Sequence, residues 1–106
     1  MASSDGLEQC DREMIRAMLA RLPNLETAVL FGSRAMGTHS PSSDIDLALF
    51  GDNLTLEAIG HLAADLEETT LPVNVDLLRY DTITSEPLKE HIARYGKLLW
   101  ERNAQS

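Results

Sequence analysis

The stretch "DIDLALF", residues 44–50, constrains the fold more than any other, because it places two acids on a segment that is otherwise apolar. Side chains of an extended strand alternate between its faces, so Ile45, Leu47 and Leu49 share one side and Asp44, Asp46 and Ala48 the other. The apolar side requires a core beneath it. The acidic side requires solvent, protons or a cation, since two anions held this close repel each other. Residues two apart are roughly 6.5–7 Å apart at Cα, near enough for both carboxylates to reach one ion. A hard divalent cation that also takes phosphate oxygens is the natural ligand of such a pair. A solvated strand face accounts for the same two acids, so a third group is needed before they indicate chemistry.

That group is in "VNVDLL", residues 73–78, where Val73, Val75 and Leu77 alternate with Asn74, Asp76 and Leu78. If this strand lies beside residues 44–50 with the apolar faces aligned, Asp76 joins the pair. Three carboxylates can hold two metal ions that clamp the attacking and leaving oxygens of phosphoryl or nucleotidyl transfer. Taken alone, Asp76 reads first as a strand-end acid paired with Arg79 or with water. Upstream, the apolar run "TAVLF" (27–31) ends at Gly32, and "SRAM" is long enough for one helical turn before Gly37. The start of such a turn presents unpaired N–H groups that suit phosphate. Gly32 allows close backbone approach, Ser33 adds a hydroxyl, and Arg34 adds a cation for a β- or γ-phosphate.

The remaining sequence builds a frame for these segments. Leu7, Cys10, Met14, Met18 and Leu22 recur at steps of three and four, predicting a helix over 7–22 that Pro23 and Asn24 stop. "THSPSS" is a loop. Leu56, Ile59, Leu62, Ala63 and Leu66 predict a helix over 54–68, Pro72 closes the next connection, and 86–95 form a helix capped by Thr84 or Ser85 and ended by Gly96. "KLLWE" reads as a last edge strand. About six residues at either end look dispensable. With 106 residues, 43% of them hydrophobic, the chain is expected to form a single domain over 1–106, one α/β (α+β) sheet covered by helices.

Glycine-serine at Gly32–Ser33, ten residues, then Asp44-x-Asp46 on a strand, with Asp76 on a later strand, resembles the signature of the DNA polymerase β-like nucleotidyltransferase superfamily. Over most of its length, through "FGSRAMG", "SDIDLAL" and "VDLL", the chain is similar to the minimal nucleotidyltransferases, the MNT proteins. The resemblance implies a polymerase β-like fold, a mixed sheet of about four strands packed against helices. It implies that Asp44 and Asp46 bind two Mg²⁺ ions on the phosphates of ATP. Asp76 would complete the catalytic metal site and help deprotonate the acceptor hydroxyl. Gly32 and Ser33 would hold the departing phosphates, with Arg34 assisting. Met36 stands where many relatives carry a basic residue, which weakens the expected phosphate contacts without touching the metal site.

The catalytic elements are expected to use nearly the whole chain, with no module of its own for an acceptor. Short relatives resemble MNT antitoxins, which act on all-helical HEPN toxins by transferring AMP to a tyrosine hydroxyl. The expectation is therefore a protein adenylyltransferase antitoxin in a hetero-oligomer with a HEPN partner. Leu98, Leu99 and Trp100, with Ile92 and Tyr95, are candidates for that interface or for the core. A non-catalytic antitoxin or nucleotide-binding subunit is the alternative, and adenylylation of a small molecule is a third. A net charge of −8 argues against direct nucleic-acid binding, which calls for a basic face. The single cysteine, Cys10, fits a reducing compartment, and its helical stripe argues against a reactive role. No basic leader precedes an apolar run, and no apolar run reaches the roughly 18 residues of a membrane span, so a cytoplasmic protein without membrane contact is expected. His39 reads as a solvated histidine of the loop, and His61 and His91 lie on helices with no second histidine or cysteine at i+3 or i+4, so none is assigned to a metal.

Overall fold

A computed structural model describes residues 9–38, 43–71 and 73–102. The elements run α1 (Gln9–Ala20), β1 (Thr27–Phe31), α2 (Ser33–Met36), β2 (Ile45–Phe50), α3 (Leu56–Glu67), β3 (Val75–Arg79), a 3-10 turn (Tyr80–Thr82), α4 (Glu86–Tyr95) and β4 (Lys97–Glu101). The four strands make one mixed sheet in the order β3-β2-β1-β4, an α+β architecture. β1 runs antiparallel to β2 and to β4. β2 and β3 are parallel, so the chain must cross over between them, and α3 is that crossover. Leu7, His39 and Pro72 lie outside the described residues.

Helices cover both sides of the sheet, unequally. On one side α1 and α3 contribute Ile15, Leu19, Ile59, Leu62 and Leu66 to a core with Ala28 and Leu30 of β1 and Ile45, Leu47 and Leu49 of β2. On the other, α4 and the 3-10 turn supply Ile92 and Ile83 to a smaller cluster with Phe31 and Ala48. α3 starts where the Thr55 hydroxyl accepts from Ala58 N at 3.1 Å. α4 starts where Ser85, not Thr84, accepts from Leu88 N.

Three expectations are corrected. Cys10 is exposed because the buried stripe of α1 is centred on Ile15 and Leu19; at 3.6 residues per turn Cys10 lies about 140° around the helix from Ile15. Leu56 is 65% exposed, and Leu54, just before the Thr55 cap, takes its place in the core. Arg102 falls within the last six residues expected to be dispensable, yet it ties the chain end down. Its Nε donates to Leu25 O at 2.8 Å and its Nη2 to Leu22 O at 3.1 Å, and its guanidinium lies 5.0 Å from the Trp100 ring centroid. Ile92 and Leu99 are buried, which leaves Tyr95 and Leu98 as the exposed members of the proposed apolar interface.

Candidate active site

Strand register assembles the acids. In the β2–β3 pair Asp46 stands directly opposite Asp76, and in the β1–β2 pair it stands opposite Phe31. Opposed residues point to the same face, so Asp46 sits between a carboxylate on one side and an aromatic ring on the other. Asp44 precedes β2 by one residue and is exposed, as is Asp76, while Asp46 is half-buried. The adjacency on which Asp76 depended is therefore present. Arg79, the other partner considered for Asp76, is engaged elsewhere: its Nε pairs with Asp81 Oδ1 at 2.7 Å and its Nη1 donates to Leu54 O at 2.8 Å.

The electrostatics follow from this crowding. Burial holds the Asp46 carboxyl above its ordinary pKa of 3.8, the charges of Asp76 and Asp44 push it further up, and a side-chain hydrogen bond with Asp76 adds to the rise. A carboxylate that resists ionisation because other carboxylates face it is relieved by a proton or by a cation. The donors are hard oxygens, the type Mg²⁺ takes. Among the described residues no three His, Cys, Asp or Glu side chains form a preassembled metal-holding group. The fit to a divalent cation thus lies in donor chemistry and register, with Asp46 and Asp76 as the close pair and Asp44 beside them.

The glycine turn lies against the acids. Gly32 has φ 81° and ψ −158°, a region open almost only to glycine. A Cβ at this position would run into Asp46 Oδ2, so the absence of a side chain is what lets the turn close onto the carboxylate. Ser33–Met36 form the single helical turn expected, and Gly37, at φ 79°, ends it in the left-handed conformation. Arg34 departs from expectation. It is 4% exposed, and its Nε and Nη2 donate to Ser43 O at 3.0 and 2.8 Å. A guanidinium drawn inward onto the carbonyl before Asp44 braces the approach to β2 and does not present itself to a phosphate in solution.

His91 was set aside on sequence and belongs to the site. Gly32 N donates to its Nε2 at 2.9 Å, across 59 residues. On sequence it stands only as a helical histidine without a second metal ligand at i+3 or i+4. Beside the acids, a cavity of about 580 Å³ is lined by Asp44, Asp76, Asn74 and Glu67 together with Leu66 and Leu71. That volume is in the range of small-ligand sites.

Comparisons with known proteins identify the family and the fold. The family model described as polymerase beta nucleotidyltransferase matches residues 13–105. Protein adenylyltransferase MntA of Shewanella oneidensis is 34% identical over 91 residues, spanning 85% of this chain and 64% of its own length. This chain thus covers less than two thirds of that relative. A toxin-antitoxin crystal structure with AMP-PNP superimposes at a TM-score of 0.71 with 33% identity, covering 86% of this chain and 73% of the matched one. A structure of tri-AMPylated Shewanella oneidensis HEPN toxin in complex with MNT antitoxin gives 0.68 at 29% identity, covering 92% and 75%. Among the described residues no helix is long and apolar enough to cross a membrane.

Proposed function

The chain belongs to the polymerase beta nucleotidyltransferase family, and from that premise we propose that it transfers AMP from ATP to a tyrosine hydroxyl of an all-helical HEPN toxin and so acts as its antitoxin. The observation that carries the reading is the register of Asp46 against Asp76 with the Gly32 backbone closed onto Asp46. This brings two acids and the Gly32 turn together at the start of the neighbouring strands β2 and β3. Asp44, Asp46 and Asp76 are the groups that would hold Mg²⁺, which when bound supplies charge neutralisation at the phosphate oxygens and a more acidic acceptor hydroxyl. Ser33 offers its N–H and hydroxyl to the departing phosphates. Gly32, lacking a Cβ, lets the turn lie against Asp46, and Arg34 keeps the segment before Asp44 in place. Asp76, exposed at the edge strand, is the carboxylate best placed to take the acceptor's proton as its oxygen attacks in line and pyrophosphate leaves. The named relatives, a protein adenylyltransferase and an AMPylated HEPN toxin bound to an MNT antitoxin, support the choice of acceptor.

The test is incubation of the purified chain with ATP labelled at the α-phosphate, Mg²⁺ and a HEPN partner. Label on a partner tyrosine, lost with Asp46→Asn, is the expected outcome. A tight complex that carries no label makes the chain a binding antitoxin instead.

A further inference from the structure

We propose that His91 is a positioning residue for the nucleotide: its Nε2 holds the Gly32 N–H and thereby sets the orientation of the Gly32–Ser33 turn against Asp46. The proposal rests on the reading of that turn as the phosphate-binding element. The contact is a 2.9 Å hydrogen bond from Gly32 N to His91 Nε2. Nε2 acts as an acceptor only with its lone pair free, so the ring proton resides on Nδ1.

The ring itself is fixed. It meets Phe31 edge-on, with centroids 6.2 Å apart and planes at 76°, and Tyr95 at 5.3 Å and 41°. Phe31 is both the neighbour of Gly32 in sequence and the residue opposite Asp46 in register. α4 is therefore locked to the turn through one aromatic contact and one hydrogen bond.

A glycine reaches φ 81° and ψ −158° without penalty and leaves it as freely, so its contacts must select this conformation. Two such contacts are present. Asp46 occupies the space a Cβ would take, and His91 takes the N–H. With that N–H engaged, Gly32 contributes shape to the turn, and phosphate contact falls to Ser33. Losing the acceptor on residue 91 frees the Gly32 peptide to rotate and carries Ser33 with it.

The experiment compares wild type, H91F and H91Q as full-length chains, using AMP-PNP with Mg²⁺ by calorimetry and hydrogen exchange of the Gly32 amide by NMR. H91F keeps a ring between Phe31 and Tyr95 and removes the acceptor, whereas H91Q returns an acceptor oxygen without the ring. We expect H91F to weaken AMP-PNP binding about tenfold, the effect of one hydrogen bond of average strength, and to speed exchange at Gly32 by a similar factor. H91Q should recover most of both. H91L serves as a second variant without an acceptor if H91F melts at a lower temperature than wild type. AMP-PNP binding and Gly32 exchange that H91F leaves unchanged overturn the proposal, as does failure of H91Q to recover what H91F loses. Wild-type protein that binds no AMP-PNP removes the nucleotidyltransferase reading and this role with it, whereas binding indifferent to residue 91 removes this role alone.

Discussion

The two faces of β2 answer to opposite demands. On one, Ile45, Leu47 and Leu49 are each 0% exposed under α1 and α3. On the other, Ala48 and Phe50 are covered, with Phe50 stacked on Tyr80 at 4.4 Å, while Asp46 at the strand's start is only half-buried and faces Asp76. The first face stabilises the fold through apolar burial. The second gathers like charges where a strand would be more stable with none. One strand can do both because alternation separates the two functions by a single residue, so the core fixes the register and the register delivers Asp46 to Asp76.

The largest expected effect separates the faces by activity. Asp46→Asn or Asp76→Asn should lower AMP transfer by about 10³-fold, the several kcal/mol associated with charge stabilisation at a transferring phosphate. The far-UV circular dichroism of either variant should be unchanged. Full activity in Asp46→Asn would mean that the acidic face is only a solvated surface. Leu47→Ala is the converse. It should cost about 3 kcal/mol of stability through the cavity it leaves, seen as a lower urea midpoint, with activity per folded molecule preserved. Gly32→Ala probes where turn and acid meet, combining a positive φ with a Cβ directed at Asp46 Oδ2. We expect a loss of about 2 kcal/mol together with weakened nucleotide binding. Stability and binding that both match wild type would show that the turn does not need to close on the carboxylate.

The parts of this arrangement that depend on neighbours along the chain were legible in the sequence. Periodicity gave β1 and α4 their observed limits and placed the last edge strand, because an apolar alternation or stripe is written in consecutive residues. The pairing of Asp46 with Asp76 was inferable as a condition, that apolar faces align, and the register meets it. What escaped depended on contacts between distant segments. Nothing near His91 announces an acceptor for a backbone N–H 59 residues away. Arg34 reads as a free cation until the Ser43 carbonyl is seen within reach of its guanidinium. Arg102 looks like a terminal residue until Leu22 and Leu25 turn their carbonyls toward it. In α1 the steps of three and four were real, but Cys10 and Met14 lie on the flank of the helix, off the Ile15–Leu19 line that meets the sheet.

The smallest effect concerns what the acidic face does to stability. Burial, then the charges of Asp76 and Asp44, raise the pKa of Asp46 in the folded chain. A carboxyl whose folded pKa is raised binds its proton more tightly when folded, so its contribution to stability is full below the unfolded pKa and is lost as pH rises through the folded value. Above that value the crowding of Asp46 by its neighbours counts against the folded chain. Asp46→Asn, which resembles the protonated acid, should therefore melt at a higher temperature than wild type at pH 7. That advantage should shrink as pH falls towards the ordinary carboxyl value of 3.8. Mg²⁺ should raise the melting temperature of wild type and not of the variant, because the cation relieves the same repulsion the substitution removes. A variant less stable than wild type at pH 7 would mean that Asp46 is held by favourable partners and that the two faces of β2 are not opposed. The same substitution would then reduce activity and stability together, whereas a site built against its fold predicts that they move apart.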